Sequence, residues 1–378
     1  MNKEIRIGKL FSIKIWVTDD DKNIDEWSRP KKFIIIKIIT SEGVEGWGEA
    51  FSIHLREKAI VAITIALFKE ISKIENLSLN SFYNNVSLLS DGHKGLDFSS
   101  ATSAIEIAVW DIAGKLKNTP LNKLLSNNPK PDVPIYATCW SDLKKDQGDY
   151  LDKVEQYFEK KYGGIKIYPL FEDTSNSVKF VERARKIVGM EYPLMLDLAI
   201  PEDLNQTKGF LKEVSFLNPY WIEEPVDGEN ISLLAEIKNS FDMKIVTGEK
   251  QSGFVHFKEL ITRNAADILN PDISGIGGII DMLKVSNEAL NNDIAISPHC
   301  WNSMSVSASA MLHVCSSIPN SERAELFPDY IEFSKEFCEL SFNILGDKAI
   351  LNQSAGLGVV IHEEILSKLS TYTMDEKN

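Results

Sequence analysis

PYWIEEP, residues 219–225, sets a short apolar run against two adjacent carboxylates and closes on a proline. The run is too short for a helix and reads as a buried strand ended by a turn. On either side the same device recurs: PLMLDLA (193–199) carries Asp197 and MKIVTGEK (243–250) carries Glu249, each 26 residues from Glu223. Further out lie VPIYATCW (133–140), GIKIYPL (164–170), ADILNPD (266–272), IAISPHC (294–300) and RAELFP (323–328), separated by helix-like stretches. Taking one polar residue near each strand end gives Cys139, Lys166, Asp197, Glu223, Glu249, Asp272, His299 and Glu325. Their intervals are 27, 31, 26, 26, 23, 27 and 26 residues. Eight βα units of that period predict a (β/α)8 barrel, which carries its chemistry at the C-terminal ends of its strands.

The first 128 residues have a different texture. IRIGKLFSIKIWV and KKFIIIKIITSEGVEGWGEAF predict an antiparallel strand set with a turn at Ser41-Glu42-Gly43. The polar segment between them, TDDDKNIDEWSRP (18–30), reads as a mobile loop. Helices are expected over 57–74, 79–89 and 99–118, which makes this part an α+β domain. The tail LNQSAGLGVVI (351–361) predicts a strand and turn that return to it.

A chain of 378 residues supports a sizeable core and two domains. With 43% apolar and 25% charged residues it is of ordinary globular composition. The net charge of −14 argues against nucleic acid or an anionic membrane as partner. Charges run through the N-terminus, so no signal or transit peptide is read there, and FIIIKII is far too short to span a bilayer. Four cysteines without CxxC spacing point to reduced thiols and a cytoplasmic protein.

Asp197, Glu223 and Glu249 end consecutive strands and converge at one rim. Three carboxylates crowded at low dielectric repel, and a hard divalent cation such as Mg2+ relieves this at pH 7 through all-oxygen ligation. Glu224 faces the other side of its strand and is expected to be structural. Asp272 and His299 end the next two strands; an Asp that accepts from His fixes its tautomer and raises its basicity, making a general base. SGIGG (274–278) lacks the features of a phosphate loop and reads as a tight strand-to-helix turn. In YGGIKIYPL (162–170), Lys166 and Tyr168 leave the same face of a buried strand.

Taken in order, GWGEAF, SATSAIEIAVWDIAGK, MLDLA, WIEEP, TGEK, NPDISGIGG and SPHCW resemble the enolase superfamily, in its mandelate racemase/muconate lactonizing enzyme group, over essentially the full chain. The resemblance implies an α+β capping domain (1–128), a (β/α)8 catalytic barrel (129–335) and a C-terminal segment (336–378) completing the cap. It implies that Asp197, Glu223 and Glu249 hold Mg2+, that the metal holds a substrate carboxylate, and that a base removes the neighbouring proton to give an enediolate. Asp272 and His299 match the dyad of the mandelate racemase-like branch. Glu325 matches a residue that lies near the substrate carboxylate and donates to it when protonated. Cap loops around Asp19–Arg29 and Phe51–Arg56, with His54, would set specificity, and Trp301 and Asn302 are further pocket candidates.

This sequence departs from the group at Tyr168, where a second lysine base often stands. A tyrosine is a poor base at neutral pH, so Tyr168 is read as a neutral donor, with Lys166 neutralising substrate charge. One good base favours one-face proton abstraction and loss of a β-hydroxyl: dehydration of a sugar acid to a 2-keto-3-deoxy acid. Cycloisomerisation of a sugar-acid lactone is the alternative, then racemisation or epimerisation. Retention of the trio and dyad disfavours a non-catalytic binding protein on the same scaffold. The expected partners are a small carboxylate substrate and further copies of the chain.

Overall fold

The computed structural model describes residues 5–24, 30–139, 147–169, 174–199, 203–301 and 304–377. β1 (Leu10–Ile24), β2 (Pro30–Thr40) and β3 (Glu45–Ala50) form an antiparallel sheet, with Trp16 opposite Ile35 and Ile36 opposite Gly48. The expected turn is present, with Gly43 at positive φ. The segment read as a loop is largely not one. β1 continues through Ile24 and β2 begins at Pro30, with Asp19 opposite Lys32 and Asp20 opposite Lys31. A ladder already in register propagates along its partner whatever the polarity of the residues it recruits; residues 25–29 lie outside the described set.

Phe33 to Ile36 are all buried, because both faces of β2 are covered. α1 (Glu57–Ile71), α2 (Leu79–Leu89) and α3 (Leu96–Leu116) lie N-terminal to the barrel. α3 is buried on nearly every side, as expected of a helix held between layers. Its approach to β3 depends on two glycines: a Cβ on Gly46 would lie 2.1 Å from the Ala108 carbonyl oxygen, and one on Gly48 1.9 Å from that of Ala104.

The barrel follows. β4 (Val133–Thr138), β5 (Ile165–Ile167), β6 (Leu194–Asp197), β7 (Trp221–Glu223), β8 (Ile245–Thr247), β9 (Ile268–Leu269) and β10 (Ala295–Ile296) pair in parallel and in order. β11 (Ala324–Leu326) pairs with β4, and the β10 side joins the β11 side through backbone hydrogen bonds from Ile296 N–H to Asn320, from Glu322 N–H to Ile296 and from Glu325 N–H to Pro298. The ring is thereby closed. Tyr136, Met195, Trp221, Val246 and Ile268 fill its interior, which is packed core rather than a pore. Outside run α4 (Gln147–Glu159), α5 (Thr174–Val188), α6 (Leu204–Val214), α7 (Ile231–Ser240), α8 (Phe254–Thr262), α9 (Ile279–Leu290), α10 (Ser305–Ser317) and α11 (Pro328–Ser334).

The tail returns to both parts. The hairpin β12 (Phe342–Leu345) and β13 (Lys348–Leu351) adds antiparallel to β4. The 351–361 segment reaches α3, where the Leu357 N–H donates to Asp111 at 2.8 Å. α12 (Glu363–Leu369) meets the sheet through Ser367, whose hydroxyl accepts from the Trp16 indole, and β14 (Ser370–Lys377) pairs with β1. All four cysteines are buried, and none of them is in a disulfide. Among the described residues no helix is long and apolar enough to cross a membrane.

Candidate active site

Short parallel strands with side chains alternating inward and outward deliver one group each to the barrel mouth. Asp197 and Glu223 are the last residues of β6 and β7, and Glu249 follows β8 by two. One oxygen from each lies within 4.8 Å of the others. Lys166, fully buried on β5, sits against this group, its Nζ 2.6 Å from Glu223, 2.9 Å from Glu325 and 3.3 Å from Asp197. Asn270 and the Trp221 indole also donate to Glu223, at 3.0 and 3.1 Å.

Burial pushes the carboxyls of Asp197 and Glu223 upward, with Lys166 the main opposing influence. Glu249 behaves differently: burial again opposes its charge, but His299 and Lys250 outweigh it and hold the carboxyl low. Five carboxylates (Asp197, Glu223, Glu249, Asp272 and Glu325) therefore face two ammoniums, the buried Lys166 and the partly exposed Lys250, and one imidazole. A buried all-oxygen set so short of positive charge fits a hard divalent cation, Mg2+ among them.

The dyad is assembled. His299 Nδ1 lies 2.8 Å from Asp272, whose other oxygen accepts from the Ser274 N–H at 2.8 Å and from its hydroxyl. With Nδ1 committed to Asp272, Nε2 faces the site, 3.2 Å from Glu249 and 4.0 Å from Glu325. Burial alone would lower the imidazole's pKa; Glu249, Glu325 and Asp272 instead push it up to about 10.

Lys166 and Tyr168 do share a side, the ammonium lying 5.9 Å from the phenol ring centroid. Burial drives the Tyr168 hydroxyl well above its ordinary range, and Lys166 offsets only part of this, so the phenol is neutral. Lys166 is already committed to three protein carboxylates. Glu325 departs from the protonated donor that the resemblance implies. It accepts from Lys166, from Thr138 and from the Cys300 N–H at 2.8 Å. Burial opposes its charge, yet Lys166 and His299 bring its carboxyl down to about 2.

Glu224 is buried at positive φ and accepts from Thr247 (2.6 Å) and the Gly248 N–H (3.1 Å). Cys139 does not face the mouth. Its sulfur lies 3.9 Å from the Tyr150 carbonyl on the helical side, and Thr138 reaches inward to Glu325. The period-two rule applied to Tyr136, which faces the interior, would have selected Thr138. His54 is half-buried in the turn before α1, its Nδ1 buried without a hydrogen-bond partner among the described residues. Trp301 is half-buried against the core, and Asn302 lies outside the described residues. Sequence reasoning passed over Asn270 and Lys250. Asn270 stands two before Asp272, and Lys250 lies 3.5 Å from Glu224 and 3.7 Å from Glu249.

Comparison with known proteins gives a concordant result. Residues 27–126 match the mandelate racemase/muconate lactonizing enzyme N-terminal domain, and residues 149–365 the enolase C-terminal domain-like family. The L-talarate/galactarate dehydratase of Salmonella typhimurium is 26% identical over 333 residues, covering 88% of this chain and 81% of its own. A crystal structure of an enolase from the environmental genome shotgun sequencing of the Sargasso Sea is 71% identical over 99% of this chain and 100% of its own, with a TM-score of 0.96. The L-talarate dehydratase of Polaromonas sp. JS666, complexed with Mg and L-glucarate, shares the fold at 21% identity and a TM-score of 0.84, over 98% of this chain and 99% of its own.

Proposed function

Since the chain belongs to the mandelate racemase/muconate lactonizing enzyme family of the enolase superfamily, we propose that it is a Mg2+-dependent dehydratase of a sugar acid, forming a 2-keto-3-deoxy acid. The observation that carries this reading is the pairing of one oriented imidazole, His299, with a neutral phenol, Tyr168, beside a buried carboxylate trio. The names of the talarate dehydratase relatives support the substrate class.

Asp197, Glu223 and Glu249 would hold the cation. Bound there, Mg2+ supplies the positive charge that orients a substrate carboxylate and stabilises the charge developing on it. Asp272 holds the Nδ1 proton of His299, and a cation held by Glu249 would offset the carboxylate that most favours the imidazolium, leaving Nε2 to take the proton from the carbon next to the carboxylate. Breaking that C–H bond places an electron pair in the substrate. Its departure into the adjacent carbon–carbon bond expels the β-hydroxyl, which takes a proton and leaves as water. The His299 imidazolium delivers that proton if the two groups leave from one face, and Tyr168 does so if they leave from opposite faces. The resulting enol tautomerises to the keto acid. Lys166 keeps positive charge beside Glu223 and Glu325 throughout, and His54, Trp301 and Asn302 are proposed to contact the sugar chain.

The test is turnover of a library of mono- and diacid sugars with Mg2+ in deuterium oxide, for wild type and His299→Asn. Keto acid that forms with the wild type and disappears in the variant supports the reading. Deuterium exchange without elimination would replace it with epimerisation, and a lactone-opening or ring-forming product with cycloisomerisation.

A further inference from the structure

The two barrel helices that follow the dyad strands begin without side-chain caps of their own. α9 starts at Gly278 and α10 at Met304, neither with a capping side-chain hydrogen bond. α6 and α7, after the strands of Asp197 and Glu223, are capped locally by Asp203 and Asn230. A helix start leaves four N–H groups unpaired, and leaving them so in a buried place is costly. For α9 and α10 the acceptors come from the N-terminal α+β part.

Glu49, at the end of β3 and fully buried, accepts from the Met304 N–H at 2.7 Å through one oxygen and from the Ser307 N–H at 2.9 Å through the other. Glu106, fully buried on α3, accepts from the Ile280 N–H at 3.0 Å. Gly278 makes room for it: a Cβ there would fall 1.6 Å from the Glu106 carboxylate. The glycine-rich turn thus presents its N–H groups to an acceptor at a helix start, and that acceptor is a carboxyl side chain of the same protein.

Two more contacts bind the same turn. The Ser103 hydroxyl accepts from the Gly277 N–H at 3.0 Å, and the Phe51 N–H donates to the Ser274 carbonyl at 3.0 Å. Ser274 is the residue that orients Asp272. The N-terminal part therefore grips the Asp272-bearing turn at three points and the segment after His299 at two.

We propose that Glu49 and Glu106 are positioning residues that hold the His299–Asp272 dyad in its working geometry from the N-terminal part, so that the dyad is complete only when that part is docked on the barrel. The catalytic consequence rests on His299 being the base; the structural one does not. Each carboxylate fixes the first turn of a helix whose preceding loop carries one partner of a 2.8 Å hydrogen bond. Release of that turn lets the partners drift, and misplacement on the ångström scale costs about a hundredfold in rate.

The test uses the full chain labelled with 15N-histidine, with His299 assigned through His299→Asn. Glu49→Ala, Glu49→Gln and Glu106→Gln are compared with Asp111→Asn, which removes a buried carboxylate that accepts from the Trp47 and Leu357 N–H groups, away from the dyad. The expected result is that the His299 ring-nitrogen shifts move in both Glu49 variants, more in Glu49→Ala, and move in Glu106→Gln, while Asp111→Asn leaves them at wild-type values. On a turned-over sugar acid, kcat should fall about tenfold to a hundredfold with KM nearly constant. Unmoved His299 signals in a folded Glu49→Ala overturn the proposal; if that variant does not fold, unmoved signals in Glu49→Gln do so. Equal movement in Asp111→Asn also overturns it, since the effect would then be general loosening. Moved signals in the Glu49 and Glu106 variants, with a wild type that turns over no sugar acid, leave the positioning role standing and overturn the reading of His299 as base.

Discussion

At the scale of single residues, the chemistry turns on how environment divides similar groups. Tyr168 and His299 are both buried beside acids, yet the phenol stays neutral and the imidazole is driven toward its charged form. The reason is sign: carboxylates penalise a phenolate and stabilise an imidazolium. Tyr168→Phe should therefore leave solvent-deuterium exchange next to the carboxylate intact while keto-acid formation falls about a hundredfold, if the phenol protonates the leaving hydroxyl. Loss of both activities together would assign Tyr168 to the abstraction step. Asp272→Asn keeps the shape but removes the acceptor that fixes the His299 tautomer. A drop in kcat of about 10³ to 10⁴ is expected from steady-state kinetics, by analogy with other His–Asp pairs.

Elements show where packing overrides local preference. α3 lies so close to β3 that Gly48 has no space for a methyl group. Gly48→Ala is expected to cost about 1–3 kcal/mol from overpacking, read as a lower urea midpoint at unchanged slope. On α10, His313 is fully buried, its Nδ1 accepting from the Asn122 N–H and its Nε2 donating to the Leu357 carbonyl, both at 3.1 Å. Burial brings its pKa down from 6.5 to about 4. The folded state then binds its proton less readily than the unfolded chain. The associated stability is full above pH 6.5 and disappears as pH falls to about 4, a contribution of about 3 kcal/mol. Urea titrations of wild type and His313→Gln between pH 7 and 4 should show a shallower acid loss in the variant. Parallel curves would place the acid sensitivity elsewhere.

For the whole molecule, the uncompensated charge at the barrel mouth ties stability to metal. Mg2+ at about a hundred times its dissociation constant should add about 2.7 kcal/mol, visible as a higher Tm, and Glu223→Gln should abolish the rise. A Tm indifferent to Mg2+ in the wild type would mean that the carboxylates are balanced from within. The N-terminal sheet is joined by the last strand of the chain, β14 on β1. Ends far apart in sequence are thus bound into one unit, and α3 carries that unit onto the barrel through Ser103 and Glu106.

Much of this was legible before any coordinates. The 26-residue rhythm of apolar runs ending in acids, and the Asp272 and His299 that follow, determined the barrel and the composition of its mouth, because strand period and βα length are local properties of a chain. Which neighbour faces inward was less secure, as the exchange of Cys139 for Thr138 shows: a polar label does not report orientation unless the phase is anchored to a known interior residue. The charge of Glu325, the commitment of Lys166 to three carboxylates, and the caps that Glu49 and Glu106 supply to distant helices were beyond sequence. Each depends on distances between residues tens to hundreds of positions apart. Electrostatic and hydrogen-bond energies are set by those distances and by burial, and only the folded chain defines either.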